Sequence, residues 1–116
     1  MKFEGGVMQS WIYLVVAIVL EVAGTTSMKL SFGFTKLLPS ILLFIFYGLS
    51  FVAFTFVLKG IDVSIAYAVW AGIGTALIAT IGMTYFKEPV SVMKLCSIML
   101  IIIGVAGLHL SGLEHQ

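Results

Sequence analysis

The sequence predicts an all-α membrane protein with four transmembrane helices in each subunit. Three observations support this fold class: 61% of the 116 residues are hydrophobic, only 9% are charged, and the apolar residues fall in four long runs. A soluble domain carries about 25% charged residues, so this chain lacks the polar surface that it would need in water. The runs cover about residues 11–28, 37–58, 63–86 and 95–113.

Each run is long enough to cross a bilayer as a helix. About 18 residues at about 1.5 Å per residue span about 27 Å, close to the hydrocarbon thickness of about 30 Å. Backbone groups in hydrocarbon must be hydrogen-bonded within the protein, and the alternating pattern of barrel strands is absent from this sequence. Short links make consecutive helices antiparallel neighbours. We therefore expect one four-helix transmembrane domain over residues 1–116.

The first run contains a single charged side chain, Glu21, near its middle. A charge at this depth costs about 2.5–3.5 kcal/mol on insertion scales. The chain has no arginine, and Lys29 lies about 12 Å further along the helix. Hydrocarbon favours the neutral acid, whereas a nearby cation favours the carboxylate. Glu21 therefore has the chemistry of a site that exchanges protons for cations; the alternative is a neutral acid that only hydrogen-bonds between helices.

The neighbours of Glu21 on the same helical face are small, apolar or hydroxyl-bearing. Thr25, one turn further on, is placed to hydrogen-bond the carboxyl group. Small side chains beside a buried acid permit either close helix packing or space for a ligand. The face consists of Leu14, Ala17, Ile18, Gly24, Thr25 and Met28.

The second and third runs supply aromatic residues. Tyr47 and Phe51 lie on one stripe of the second run beside Ser50, and Tyr67 and Trp70 share a face of the third. An aromatic face attracts an organic cation by about 0.5–2 kcal/mol, although such stripes also occur in ordinary helix cores. Two glycines follow directly and favour a kink or hinge in the third helix: Gly72 and Gly74.

The last run and the size of the chain indicate an oligomer. Ser97 and Gly104 are seven residues apart on one face, which is typical of a close helix contact, either within one subunit or between subunits. Four helices packed as one bundle fill their own centre with side chains. A pathway for a solute therefore requires a second chain, most simply in a dimer.

Charge and cysteine content exclude several kinds of partner. A net charge of +1 without a basic cluster argues against nucleic acid. Cys96 is the only cysteine, so neither an intrachain disulfide nor a thiolate metal cluster can form. Because no nucleophile–base pair or phosphate loop is present in the sequence, we expect no enzyme, no cofactor and no metal site. The lysines favour external termini only slightly, which leaves the membrane orientation open.

Three stretches of the sequence together match one known family. They are "EVAGTTSMK" at 21–29, "GFTKLLPS" at 33–40 and "AYAVWAGIG" at 66–74. In this order and spacing they resemble the small multidrug resistance family of bacterial four-helix transporters, over about residues 11–111. The resemblance implies a multi-pass protein of the bacterial inner membrane that works as an antiparallel dimer by alternating access. It also implies that Glu21 is the shared site for protons and cationic substrate.

The same resemblance assigns roles to further residues. It implies a pocket lined by Leu14, Ala17, Ile18, Gly24 and Thr25 on the first helix, Tyr47, Ser50 and Phe51 on the second, and Tyr67 and Trp70 on the third. Gly72 and Gly74 match the kink of the family's third helix. Ser97 and Gly104 match the dimer contact on the last helix, with Ser97 in place of a glycine that is often seen there.

The residues after Glu21 bear on the substrate. Guanidinium exporters of the family typically carry a tryptophan where this chain has Gly24, and "GTTSMK" instead resembles exporters of quaternary ammonium and other lipophilic cations. Val52 stands where broad drug exporters often carry tryptophan, and "KGIDVSIAYAVW" also resembles subunits of paired exporters, including polyamine exporters. The expected partners are protons, small organic cations, membrane lipid and a second copy of the chain. The alternatives are a guanidinium or polyamine exporter, one subunit of a heteromeric pair, and a non-transporting membrane subunit.

Overall fold

The computed structural model describes residues 4–114, with side chains from residue 7 to residue 111. It contains four α-helices: α1 (Glu4–Leu30), α2 (Leu37–Val57), α3 (Val63–Thr84) and α4 (Val92–Glu114). The described residues include no strand, and all four helices are long and apolar enough to cross a membrane. The predicted all-α membrane fold with four spans is therefore confirmed. The ends of the predicted domain, residues 1–3 and 115–116, lie outside the described residues.

Several helix boundaries differ from the predicted spans, and α1 runs from Glu4 to Leu30 rather than over about 11–28. At two boundaries, those of α3 and α4, the reason lies in the loops. α3 ends at Thr84 rather than near residue 86, because Lys87 has a left-handed φ of 60° and the following N–H of Glu88 bonds the carbonyl of Gly82 at 2.9 Å. α4 begins at Val92 rather than near residue 95, because the Oγ of Ser91 accepts the N–H of Lys94 at 3.0 Å and caps the helix.

By its contacts the chain divides into two compact units, residues 1–61 with α1 and α2 and residues 62–116 with α3 and α4. In the first unit, small residues recur every seven positions on α1 and just beyond its end, and all are buried: Ser10, Ala17, Gly24 and Ser31. Buried residues recur at the same interval on α2: Leu43, Ser50 and Val57. An interval of seven keeps one seam of each helix in register, and small side chains let the two backbones approach closely.

A buried hydrogen bond and a tight turn fix how α1 pairs with α2. The Oγ of Ser50 donates to the carbonyl oxygen of Ala17 at 2.7 Å, and Ser50 is fully buried. In the link, Ser31 Oγ donates to the carbonyl of Met28 and accepts the N–H of Phe34. Residues 32–34 all have positive φ, from 48° to 70°. Only Gly33 takes this backbone without steric cost, so the contacts of Ser31 are what hold the turn.

In the second unit, α4 packs into a notch on α3. A Cβ added at Gly72 would collide with Cγ2 of Val105 and lie 3.3 Å from Cγ2 of Ile101. Gly72 therefore lets the branched side chains of α4 rest directly on the backbone of α3. The helix continues without interruption through Gly72 and Gly74, and the kink implied for these two glycines stays a prediction.

Candidate functional site

Glu21 lies near the middle of α1, inside the candidate membrane span Val7–Leu30. Its side chain is half-buried within the chain, so the carboxylate is partly accessible. The lysines in the described part of the first unit stand at helix ends: Lys29 in the last turn of α1, Lys36 just before α2 and Lys59 just after it. The carboxylate therefore stands apart from these three cations along the helix axis.

Two hydroxyl groups connect Glu21 to α2. Thr25 Oγ1 donates to Glu21 Oε2 at 2.8 Å, as the spacing of one helical turn predicts. Thr25 Oγ1 also lies 2.6 Å from the phenol oxygen of Tyr47. A threonine hydroxyl has one proton, so when Glu21 is ionised and accepts that proton, the Tyr47 hydroxyl is the donor in the second bond. In that arrangement the O–H groups of Tyr47 and Thr25 both point toward the carboxylate of Glu21.

The ring of Tyr47 lies directly on the backbone of α1. A Cβ added at Gly24 would stand 2.7 Å from both Cδ1 and Cε1 of Tyr47, which is too close for any real side chain. The Tyr47 ring is also nearly parallel to that of Phe51, at an interplanar angle of 9° and a centroid distance of 6.4 Å. Phe51 is 59% exposed. The first unit thus places a carboxylate and two stacked aromatic rings close together.

Other predicted pocket residues of the first unit are packed away in this structure. Leu14, Ala17 and Ile18 are at most 5% exposed. The hydroxyl of Ser50 is buried and donates to the Ala17 carbonyl, and the pocket role implied for these four residues stays a prediction. The structure therefore brings Glu21, Thr25, Gly24 and Tyr47 into one connected group and gives Ser50 a contact with the backbone of α1.

The remaining predicted residues lie in the second unit. Tyr67 and Trp70 on α3 form an edge-to-face pair with ring centroids 5.5 Å apart, and Tyr67 is 57% exposed. Ser97 and Gly104 on α4 are exposed, and a Cβ added at Gly104 would meet no atom within 4 Å. Their role as a dimer contact stays a prediction. Among the described residues, no group of three His, Cys, Asp or Glu could hold a metal ion.

One feature of the site was not recognised from the sequence, namely the contact between Gly24 and Tyr47. Gly24 was interpreted as a small pocket residue, and Tyr47 as a separate aromatic one. The signal that could have joined them is the seven-residue interval of small residues on α1, which marks the seam where α2 packs. A hairpin that pairs Ala17 with Ser50 brings Gly24 next to the turn of α2 that holds Tyr47.

Comparison with known proteins identifies the family. A family model described as Small Multidrug Resistance protein matches residues 9–101. The chain is 58% identical over 106 residues to the membrane protein YvaE of Bacillus subtilis, covering 91% of this chain and 87% of YvaE. It is 43% identical over 103 residues to the quaternary ammonium compound-resistance protein QacF of Klebsiella aerogenes, covering 89% and 94%.

A third relative comes from a different bacterial genus. The chain is 37% identical over 105 residues to the quaternary ammonium compound-resistance protein QacC of Staphylococcus aureus, covering 90% of this chain and 98% of QacC. The four membrane-spanning helices and these relatives make it a multi-pass bacterial membrane protein. The family model, which covers most of the chain, and the extent of these identities establish that the chain belongs to the Small Multidrug Resistance family.

Proposed function

We propose that this chain is a proton-coupled antiporter that exports organic cations, quaternary ammonium compounds among them, with protons and substrate competing for Glu21. Its family and the names of its relatives indicate a transporter rather than an enzyme, and a role in quaternary ammonium or multidrug resistance. The mechanism, an exchange of protons for cations, is proposed from the chemistry around Glu21.

The observation that carries the proposal is the carboxylate held inside a membrane span by a chain of two hydroxyl groups. Hydrocarbon favours the protonated acid, while the hydroxyl donors and an arriving cation favour the carboxylate. Because these opposing effects act on one group, Glu21 can exist in both forms during a transport cycle. A cation that binds the carboxylate displaces its proton, and a returning proton displaces the cation.

The hydroxyl chain can accommodate both forms of Glu21. With the carboxylate ionised, Tyr47 donates to Thr25 and Thr25 donates to Glu21. With Oε2 protonated, the carboxyl group can donate to Thr25, and Thr25 can donate to Tyr47 in turn. Both hydroxyl groups can donate and accept, so the bonds between Glu21 and Thr25 and between Thr25 and Tyr47 can form with either form of Glu21. The site therefore tolerates the charge change that antiport requires.

The aromatic rings suit a cation that cannot donate hydrogen bonds. A quaternary ammonium ion has no N–H group, so a site recognises it through charge and through the negative faces of aromatic rings. The stacked Tyr47–Phe51 pair supplies such faces near the carboxylate. Tyr67 and Trp70 form a second aromatic pair, on α3, and we propose that they also line the binding pocket.

The proposal includes a dimer of antiparallel subunits that alternates its access between the two sides of the membrane. Within one chain, no residue in the membrane-spanning part of α4 is buried, so the side of this helix that faces away from α3 offers an apolar surface to lipid or to a second copy. Ser97 and Gly104 provide small positions on that surface. Two copies of Glu21 in one assembly would titrate as a coupled pair, and substrate would compete with both protons.

The experiment that tests the substrate class is current recording on a solid-supported membrane with purified protein in proteoliposomes. Tetraalkylammonium ions and tetraphenylphosphonium are expected to give substrate-driven proton currents, and guanidinium and spermidine much smaller ones. Larger currents with guanidinium or spermidine would replace the quaternary ammonium assignment by that class. No current from the chain alone, with currents on adding a second family subunit, would indicate a heteromeric pair. The absence of a current under both conditions would contradict a transport function.

A further inference from the structure

We propose that Gly24 is a positioning residue that seats the ring of Tyr47 and so maintains the hydroxyl chain to Glu21. This inference builds on the function proposed above, in which Glu21 exchanges protons for cations. The family resemblance implies that Gly24 lines the pocket, and its small size permits either close helix packing or space for a ligand. The structure points to a steric function: the missing side chain leaves the space in which the Tyr47 ring rests against α1.

We use the word seat for the place on the α1 backbone at Gly24 against which the Tyr47 ring packs, and the distances show how little space it leaves. Two ring carbons of Tyr47 lie 2.7 Å from the place of a Cβ at Gly24, whereas an ordinary contact begins at 3.4 Å. An alanine would therefore move the ring by about 0.7 Å, the difference between these two distances. The phenol oxygen belongs to the same rigid ring and moves with it. Its bond to Thr25 is 2.6 Å long, so a shift of this size weakens or breaks it.

The ring cannot move without consequence for the rest of the site. Ser50, one position before Phe51 on the same helix, is bonded to the Ala17 carbonyl and holds α2 in place. The ring must therefore rotate about its own side-chain bonds, since the backbone of α2 is held. Among the described residues, the hydrogen bonds that reach Glu21 come from Thr25 and, through it, from Tyr47. Lys29, Lys36 and Lys59 stand at the helix ends.

The seat thus makes the identity of residue 24 and the position of Tyr47 interdependent. A larger residue at position 24 weakens or breaks the Tyr47–Thr25 bond, and the ionised carboxylate loses part of its stabilisation with it. Because the ionised form is the one that binds the cation, residue 24 adjusts the competition between proton and substrate. It does so without touching either of them.

The test compares Gly24→Ala with Gly48→Ala. Gly48 is also a helical glycine, it adjoins Tyr47 in sequence, and a Cβ there would meet no atom within 4 Å. Proton release on adding tetraphenylphosphonium is measured against pH in weakly buffered detergent solution. Loss of the Tyr47 hydroxyl from the hydrogen-bonded group modestly destabilises the ionised carboxylate of Glu21. Gly24→Ala is therefore expected to raise the pH midpoint of proton release by roughly 0.3–0.7 unit, which is about a twofold to fivefold increase in proton affinity. Gly48→Ala is expected to leave it unchanged.

A second variant separates the hydroxyl chain from simple crowding. Tyr47→Phe keeps the ring and removes the phenol, so it is expected to raise the midpoint by a similar amount. In the Tyr47→Phe background Gly24→Ala is expected to add no further shift, because no hydroxyl bond remains to be lost. An equal further shift in that background would overturn the inference, and so would a midpoint for Gly24→Ala that matches that of Gly48→Ala.

A structural measurement distinguishes failure of the inference from failure of the proposed function. The aromatic NMR signals of Tyr47 in bicelles are expected to move in Gly24→Ala and to stay in place in Gly48→Ala. Absence of any Glu21-dependent proton release in the wild-type protein would contradict the proposed function, and the NMR comparison would still decide on the seat. Unmoved Tyr47 signals in Gly24→Ala would refute the seat whatever the outcome of the proton measurements.

Discussion

Replacing Glu21 with glutamine is expected to reduce proton-driven cation uptake to the level of empty vesicles while the protein stays folded. The amide has nearly the shape of the carboxyl group and can still accept the hydrogen bond of Thr25, which donates to Glu21 at 2.8 Å in the wild type. It cannot ionise, so it offers no negative charge to a cation and carries no proton to exchange. Uptake of labelled tetraphenylphosphonium into vesicles that are acidic inside measures the effect.

The matched control for this variant is Glu88→Gln. Glu88 lies in the exposed link between α3 and α4, outside the helices that cross the membrane, and undergoes the same chemical change. We expect it to transport like the wild type, and helical content by circular dichroism should be equal in all three proteins. Uptake by Glu21→Gln at the wild-type rate would show that the exchange does not take place at this carboxylate.

Introducing isoleucine at Gly104 is expected to dissociate the proposed dimer and abolish transport. Gly104 is exposed and lies seven residues from Ser97 on α4. None of the residues in the membrane-spanning part of α4 is buried within the chain. A small residue at a helix contact allows two backbones to approach, and a branched side chain there keeps them apart. Size-exclusion chromatography with light scattering in detergent measures the dimer, and vesicle uptake measures the activity.

Ala106→Ile provides the control for added bulk on α4. Ala106 is also exposed, and two positions along a helix it points to a different side from Gly104. This variant is expected to remain dimeric and active. A Gly104→Ile protein that stays dimeric and transports would contradict the assignment of this face to the dimer contact. A loss of dimer in both variants would mean that the contact covers a wider part of α4.

Much of the fold could be predicted because the membrane imposes it. Runs of sufficient length must be helices, and the four predicted spans correspond to α1, α2, α3 and α4. The helix ends could not be predicted as well, because loop contacts decide them. After α3, the left-handed backbone of Lys87 prevents the helix from continuing. The hydroxyl of Ser91 caps α4, so α4 starts before the apolar run does. The left-handed backbone of Phe32 and Phe34 could not be predicted from the sequence either, because among residues 32–34 only Gly33 favours that conformation.

Within the site, the sequence predicted contacts along one helix better than contacts between helices. The bond from Thr25 to Glu21 follows from a spacing of four residues, and the ring contact of Tyr67 with Trp70 from a spacing of three. The meeting of Gly24 with Tyr47 depends on the register between α1 and α2. That register is held by the bond between Ser50 and the Ala17 carbonyl, a partner that no residue pattern specifies.

The central claim is that one carboxylate, Glu21, releases its proton when the cation binds. Calorimetric titration of purified protein with tetraphenylphosphonium, repeated in buffers of different ionisation enthalpy, counts the protons released for each cation bound. The wild type is expected to release protons at every pH at which Glu21 is still protonated before the cation binds, and to release none at high pH, where the carboxylates are already ionised. Glu21→Gln is expected to release none at any pH. Cation binding without proton release from the wild type at any pH, or equal release from Glu21→Gln, would contradict the claim.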